Sequence, residues 1–267
     1  MARRWHHSVA PEWLEARKHV LTATDVSNIM PEYKRYLKAG SPEDPTPGFL
    51  ALWAKKNSDS YQDPESTGMA ARGHILEPYA INAWNNQISS KPMYHWDDSL
   101  IVDSTNHFGF SPDALNIPQE YIDWSVQVKQ THMLGNRSTF EYKLPVAAME
   151  VKSYSPEQHM KAIAADKMKR DELMQIAMSF VVLPSLNVMY LVYYCPGAPI
   201  EMYAESYSRD ELHDQIRWIL EIGEVYVKVD QFMKKKIKSG HWMKALATEE
   251  NIYKEYLEEQ ESNFVIS

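Results

Sequence analysis

Val146-Ala-Ala-Met-Glu150-Val-Lys152-Ser-Tyr154 begins as an apolar run and ends on an acid and a base two residues apart. It reads as a buried strand. Residues i and i+2 of a strand project from one face, so Glu150 and Lys152 stand side by side. Ser155-Pro156-Glu157-Gln158 follows at once. It is a capping box with proline at the first helical position, a strong helix start. The helical pattern runs to about residue 182 and slips in phase between Met168 and Leu173. That slip predicts a kink or two consecutive helices. Residues 187–194 are strongly apolar, and 200–207 form a further strand. A strand, a helical crossover and two more strands imply a mixed α/β sheet flanked by helices.

Upstream, Phe108-Gly-Phe-Ser111-Pro112-Asp113 is a short aromatic segment ending in a carboxylate. If it pairs with the Glu150 strand, Asp113 and Glu150 can share a divalent cation, and Lys152 can face a phosphate under attack. At this composition about one or two Glu-x-Lys triplets arise by chance. Context separates them. Glu141-Tyr-Lys143 follows the polar run Gly135-Asn-Arg-Ser-Thr139 and is closed by Pro145, so it reads as a loop or edge. Gln127-Val-Lys129 lacks the carboxylate that a hard cation prefers. Glu150 alone follows an apolar run and precedes a well-signalled helix.

The remaining chain reads as helices first, then strands. Pro11 starts one helix, and Thr24 can cap a short one through Met30. Residues 41–48 hold three prolines and form a loop. A helix over about 66–87 places Ile75, Leu76, Tyr79, Ala80 and Ala83 on one face, with Pro78 kinking it. Residues 100–103 and 108–114 read as short strands, and 121–128 alternates as another. Two helices, about 209–236 and 242–259, close the chain.

The 267 residues, 44% of them apolar, suffice for one large core. The single Cys195 excludes a disulfide framework within one chain and any multi-cysteine metal site. It reads as a small buried residue at a strand end. The net charge of −8 argues against a passive nucleic-acid coat, whose affinity comes from neutralising phosphates. It leaves room for an acidic centre neutralised by cations. No apolar stretch follows Met1-Ala-Arg-Arg, and no run approaches a membrane span, so a soluble, intracellular protein is expected.

Five pieces, in order, resemble the phage lambda exonuclease family, also called YqaJ-like viral recombinases, within the restriction-endonuclease-like nucleases. Trp13-Leu-Glu-Ala-Arg17 with Thr22-Ala-Thr24-Asp25-Val26 is similar to its W-x-x-x-R…T-A-S-x-V opening. Gly73-His-Ile-Leu-Glu77-Pro78 looks like its G-x-x-x-E-P helix, and Ser111-Pro-Asp-Ala-Leu115 like its S-P-D-G-L, with Ala114 for the usual glycine. Glu150-Val-Lys152 resembles its E-x-K strand, and Gln175 falls where the family has a helix glutamine. One departure stands out: the family joins S-P-D to E-x-K by about a dozen residues. Residues 116–148 therefore read as an insertion, with Lys129, Arg137 and Lys143 as DNA contacts or a subunit contact. The other reading makes Lys129 the catalytic lysine, with Gln127 in place of glutamate.

The resemblance implies a restriction-endonuclease-like core over 11–207, N-terminal helices, and a helical C-terminal extension over 208–267, all in one nuclease domain. It implies Mg²⁺, with Mn²⁺ as the alternative, held by Asp113, Glu150, the Val151 carbonyl, Glu77 and Asp103. Lys152 would orient the attacking water as a cation, assisted by Gln175. Arg17, Thr24 and Ser111 would hold a 5′-phosphate. The implied activity is 5′-to-3′ digestion of linear duplex DNA ends, leaving 3′ overhangs for a single-strand annealing recombinase. A homotrimer and the cytoplasm of a phage-infected bacterium go with it. Two rivals remain: a restriction-like or structure-specific endonuclease, and a non-catalytic DNA-end or protein-binding module. By themselves, Glu77, Arg17 and Ser111-Pro-Asp read as a surface acid, a surface base and a turn. Lys234-Lys-Lys-Ile-Lys238 reads as a solvated helix end or a DNA-backbone contact.

Overall fold

Strand β6 (Ala147–Lys152) is the middle member of a five-stranded sheet ordered β2-β5-β6-β7-β8. Its neighbours are β5 (Ala114–Leu115), antiparallel, and β7 (Val188–Tyr194), parallel; β2 (Tyr94–His95) and β8 (Met202–Ser208) complete it, each antiparallel to its neighbour. A second, three-stranded sheet is ordered β1-β3-β4, from Arg3–Trp5, Leu100–Val102 and Gly109–Phe110. The computed structural model describes residues 3–5, 11–58, 68–88, 90–96, 100–105, 107–122, 144–165 and 170–239.

The parallel β6–β7 pair needs a crossover. Two helices supply it: α5 (Pro156–Ala164) and α6 (Arg170–Val182), as the phase slip predicts. Ser155 caps α5, its hydroxyl accepting the Gln158 amide at 3.4 Å, with Pro156 in the first turn. The sheet separates two cores by strand parity. Ala148, Met189, Leu191 and Tyr193 face α6 and, behind it, α2 (Ala23–Ala39) and α7 (His213–Lys238). Met149, Val151, Tyr190 and Val192 face Ala80, Ile81 and Trp84 of α4 (Gly68–Gln87). α6 is apolar on nearly every side because it is buried: Met174, Ile176, Ala177, Met178 and Phe180 are each at most 1% exposed.

Several expectations change. The N-cap of α2 is Thr22, in a reciprocal box with Asp25; Thr24 is the second residue of the helix and is exposed. Asp25 at the third helical position completes that box, whereas Thr24 has no such partner three residues on. α2 also runs through Pro31 to Ala39. The loop expected over 41–48 ends early, because Pro47 starts α3 (Pro47–Asn57). On α4 the buried side is Glu77, Ala80, Ile81 and Trp84, while Ile75 and Tyr79 are exposed. Strand β2 had no alternating signal of its own.

Residues 119–121 form a 3-10 turn rather than a strand start, and the rest of the strand expected to 128 lies outside the described residues. So do Gln127, Lys129, Arg137, Glu141 and Lys143, and the helix expected over 242–259. Ala147 and Ala148, at the far end of the expected insertion 116–148, belong to β6. Asn116 joins its two flanks, accepting the Val146 and Ala147 amides at 2.9 Å each. α7 is no separate appendage: Ile219, Ile222, Val225 and Val229 belong to the main core. Its lysine-rich end is exposed, as expected, with Lys234 paired to Asp230 at 2.8 Å. Cys195 is fully buried just past β7. No helix among the described residues is long and apolar enough to cross a membrane.

Candidate active site

Glu150 and Lys152 occur at the C-terminal end of β6, on the parity that faces α6. They form an ion pair, Lys152 Nζ donating to Glu150 Oε1 at 2.7 Å. Glu150 is 8% exposed. Burial alone would push the Lys152 ammonium down, but Glu150, Asp113 and Glu172 more than offset it and hold the pKa above its ordinary value. These carboxylates favour the charged form of Lys152 and disfavour it as a proton acceptor.

Asp113 occupies the turn between β4 and β5. The register Ala114↔Met149 carries it against β6. Its amide donates to Met149 O at 3.1 Å, and its Oδ2 accepts the Val151 amide at 2.6 Å. Asp113 thus spans residues 149 to 151 and faces Glu150. Burial lifts its pKa well above the usual carboxylate range, and the charges of Glu150 and Glu77 lift it further; the Val151 amide and Lys152 oppose this only partly. Glu77 reaches the cluster from α4, 7% exposed, with His74 Nδ1 3.2 Å from its Oε1.

Glu150 and Glu77 thus both act electrostatically on the buried Asp113, and Lys152 pairs with Glu150. The donors are all hard oxygens, the chemistry that Mg²⁺ selects. Among the described residues no group of three or more acidic, histidine or cysteine side chains is placed to hold a metal ion. Mg²⁺ does not require one, since it binds through one or two carboxylates and keeps waters or takes substrate oxygens. The donor set fits such an ion.

The structure adds a residue that sequence reading missed. Glu172, one turn before Gln175 on α6, is 4% exposed. Its carboxylate accepts hydrogen bonds from the Tyr154 and Tyr193 hydroxyls, the latter at 3.0 Å. Burial and this carboxylate push both phenols well above their usual range. Glu172 also acts electrostatically on Lys152. An acid in the first turn of a helix is ordinary by sequence, so nothing there marked it. Gln175 is half-buried at the i+3 position on the same helix.

Asp103 does not join the cluster. Its carboxylate accepts the amides of Thr105, His107 and Phe108 at 3.0, 2.8 and 2.8 Å, together with the Thr105 hydroxyl. These four bonds use the acceptor capacity of a carboxylate. Asp103 staples the β3–β4 turn.

The expected phosphate residues lie on two adjoining segments. Arg17 is in the last turn of α1 (Pro11–Lys18), and Thr24 is in the first turn of α2. A parallel bridge between Leu21 and Phe108 lays the approach to Thr24 beside the approach to Ser111. Leu21 N donates to His107 O at 2.7 Å, and Gly109 N to Leu21 O at 3.0 Å. The Ser111 hydroxyl is buried and makes no hydrogen bond.

No family model matches the chain, and no curated protein matches it. Among solved structures it is similar to an alkaline exonuclease, LHK-Exo, from Laribacter hongkongensis. That likeness has a TM-score of 0.53 at 18% identity, covering 90% of this chain and 99% of the other. A second crystal structure of LHK-Exo, in complex with dAMP, gives a TM-score of 0.53 at 19% identity over the same shares. The chain therefore has the mixed α/β fold of that exonuclease.

Proposed function

We propose that this protein is a metal-dependent exonuclease that digests linear double-stranded DNA from the 5′ end. The observation that carries this reading is the clasp of Asp113 on the Glu150–Val151 edge of β6, with cationic Lys152 one residue further on. Glu77 completes the acidic group. The fold shared with LHK-Exo supports a nuclease, and the dAMP held by that protein is the kind of product such an enzyme releases.

Asp113, Glu150, the Val151 carbonyl and Glu77 would hold Mg²⁺, or Mn²⁺ in its place. A divalent ion bound there supplies Lewis acidity to the scissile phosphate and an acidified water. The chain supplies the rest. Lys152 donates hydrogen bonds to the water and to the phosphate oxygens, offsetting the charge that grows as the new P–O bond forms. Glu150 holds Lys152 in place, and Gln175 assists from α6. Arg17 grips the terminal 5′-phosphate through its planar fork of donors, while Thr24 and Ser111 complete the pocket. Hydrolysis breaks the bond between phosphorus and the 3′ oxygen of the terminal nucleotide. A 5′-mononucleotide leaves, and the strand keeps a new 5′-phosphate for the same pocket.

This polarity leaves 3′ single strands, the substrate of a strand-annealing recombinase. A phage-type recombination role, a ring-shaped homotrimer and a cytoplasmic site of action accompany the reading. The test is digestion of linear duplexes with and without a 5′-phosphate, in Mg²⁺ and in EDTA, beside closed circles. The expected result is metal-dependent loss of linear DNA, faster with the 5′-phosphate, and intact circles. Cutting of circles would make the protein an endonuclease. Equal inactivity of wild type and Glu150→Ala in Mg²⁺ would make it a binding module.

A further inference from the structure

Lys56, at the end of α3, is 2% exposed. A buried ammonium is costly unless its donors are met. Here its three N–H donors have three acceptors: Arg17 O at 3.0 Å, Val20 O at 2.7 Å, and Asp25 Oδ2 at 2.6 Å. The two carbonyls lie at and just beyond the C-terminus of α1, where helix carbonyls lack partners within the helix and a cation suits the dipole. Asp25 is itself 4% exposed and belongs to the capping box of α2. Its Oδ2 also accepts the Thr22 amide at 3.0 Å and the Thr22 hydroxyl at 2.9 Å. One ammonium therefore ties the end of α1 to the start of α2.

That turn carries two of the three residues assigned to the 5′-phosphate. Arg17 is held through its own carbonyl. Thr24 is the neighbour of Asp25. The third, Ser111, is registered to the same turn by the Leu21–Phe108 bridge. Lys56 cannot reach a phosphate itself, because its head is enclosed and its donors are engaged. What it controls is the spacing between the Arg17 backbone and the Thr24 backbone.

We propose that Lys56 is a positioning residue for terminal-phosphate recognition: by clamping Arg17 O, Val20 O and Asp25 it sets the separation of Arg17 and Thr24. This rests on the reading of Arg17, Thr24 and Ser111 as the 5′-phosphate pocket. Positioning and overall stability are separable. A purely structural lysine would, when replaced, lower digestion of all ends alike. A positioning lysine lowers only the advantage of phosphorylated ends.

The test measures initial rates on duplexes ending in 5′-phosphate and in 5′-hydroxyl, with wild type, Arg17→Ala, Lys56→Met and Asp25→Asn, alongside thermal unfolding. Small displacements of a positioning group lower rates by one to two orders of magnitude, so Lys56→Met should reduce the phosphate-to-hydroxyl ratio about tenfold. Its rate on hydroxyl ends should stay near wild type. Asp25→Asn, which keeps the capping geometry without the charge, should move the ratio the same way and serves if Lys56→Met does not fold. A wild type with no phosphate preference, or an Arg17→Ala that keeps one, overturns the pocket itself and the inference with it. If Arg17→Ala loses the preference while folded Lys56→Met or Asp25→Asn retains it, the pocket stands and the positioning role is overturned. Equal losses on both kinds of end also overturn it.

Discussion

Asp113 accepts the Val151 amide through Oδ2 at 2.6 Å, so a side chain from the turn before β5 bonds the backbone of the strand that carries Glu150 and Lys152. The bond fixes the acid against β6 without neutralising it. Glu150 and Glu77 remain close enough to disfavour its ionisation. The site is thus under electrostatic tension that a divalent cation would relieve.

That tension gives a stability prediction with a definite sign. The folded pKa of Asp113 exceeds its unfolded value of 3.8. The folded state then holds a proton that the unfolded state gives up. The contribution of Asp113 to stability is greatest below the unfolded value, falls as pH rises towards the folded value, and stays low above it. In EDTA at pH 8, Asp113→Asn should melt higher than wild type, by ~2–4 °C for each kcal/mol relieved. Mg²⁺ or Mn²⁺ should raise the wild-type midpoint, by more as pH rises towards the folded pKa, because binding displaces that proton. The variant should not respond. Calorimetry across pH, with and without the ion, decides.

Lys152→Met removes the cation aimed at the phosphate but keeps the length of the side chain. The expected loss in kcat is about 10²–10³-fold, the effect of deleting one preorganised donor. KM should change little. Steady-state digestion of a linear duplex measures both, and a fall confined to KM would show that Lys152 merely binds DNA.

Glu172→Ala would strip two buried phenols of their acceptor. Hydrogen bonds to a charged group are worth ~1.5–3 kcal/mol each, so a loss of several degrees in midpoint is expected. Tyr154→Phe removes one such bond and should cost about half as much. If Glu172 also steadies Lys152, Glu172→Gln, whose amide oxygen can accept from one tyrosine while its NH2 donates to the other hydroxyl oxygen, will lower kcat more than it lowers stability.

Gly223 on α7 packs against Phe108. A Cβ there would lie 2.2 Å from Phe108 Cζ. Phe108 is 5% exposed and cannot swing out. Overpacking of this kind costs ~1–3 kcal/mol. Better helix propensity returns only about 1 kcal/mol. Gly223→Ala should therefore melt lower than wild type, and an unchanged midpoint would mean that the Phe108 ring has room to move.

Asn116→Ala tests the clasp at the base of the intervening segment. It would leave the Val146 and Ala147 amides without their acceptor. A loss of about 1–3 kcal/mol is expected from chemical denaturation. Replacing residues 119–144 by a short Gly-Ser turn, with Asn116 retained, should leave the β5–β6 pair and metal-dependent hydrolysis in place.

The local features of this chain were legible because their causes are local. The two-residue period of a strand put Glu150 and Lys152 on one face before any partner was known. Ser155 and Pro156 marked a helix start by chemistry contained in four residues, and the phase slip between Met168 and Leu173 announced a kink or two helices. The α/β class followed from the order of such segments. Asp113 required more: its role depended on β5 pairing with β6 across a long intervening segment, which motif resemblance suggested and register supplied. Where a side chain had several partners open to it, only the tertiary structure chose. Asp103 spent its carboxylate on its own turn. Thr22 took the cap because Asp25 closes the box with it. Glu77 lay on the buried side of α4 although Ile75 and Tyr79 are more apolar. Glu172 and Lys56 looked like ordinary charges of helix surfaces, and they became buried because α6 and α3 pack against elements distant in sequence. Burial strengthens charge interactions and is a property of packing, so the electrostatics of this site could be written only by the folded chain.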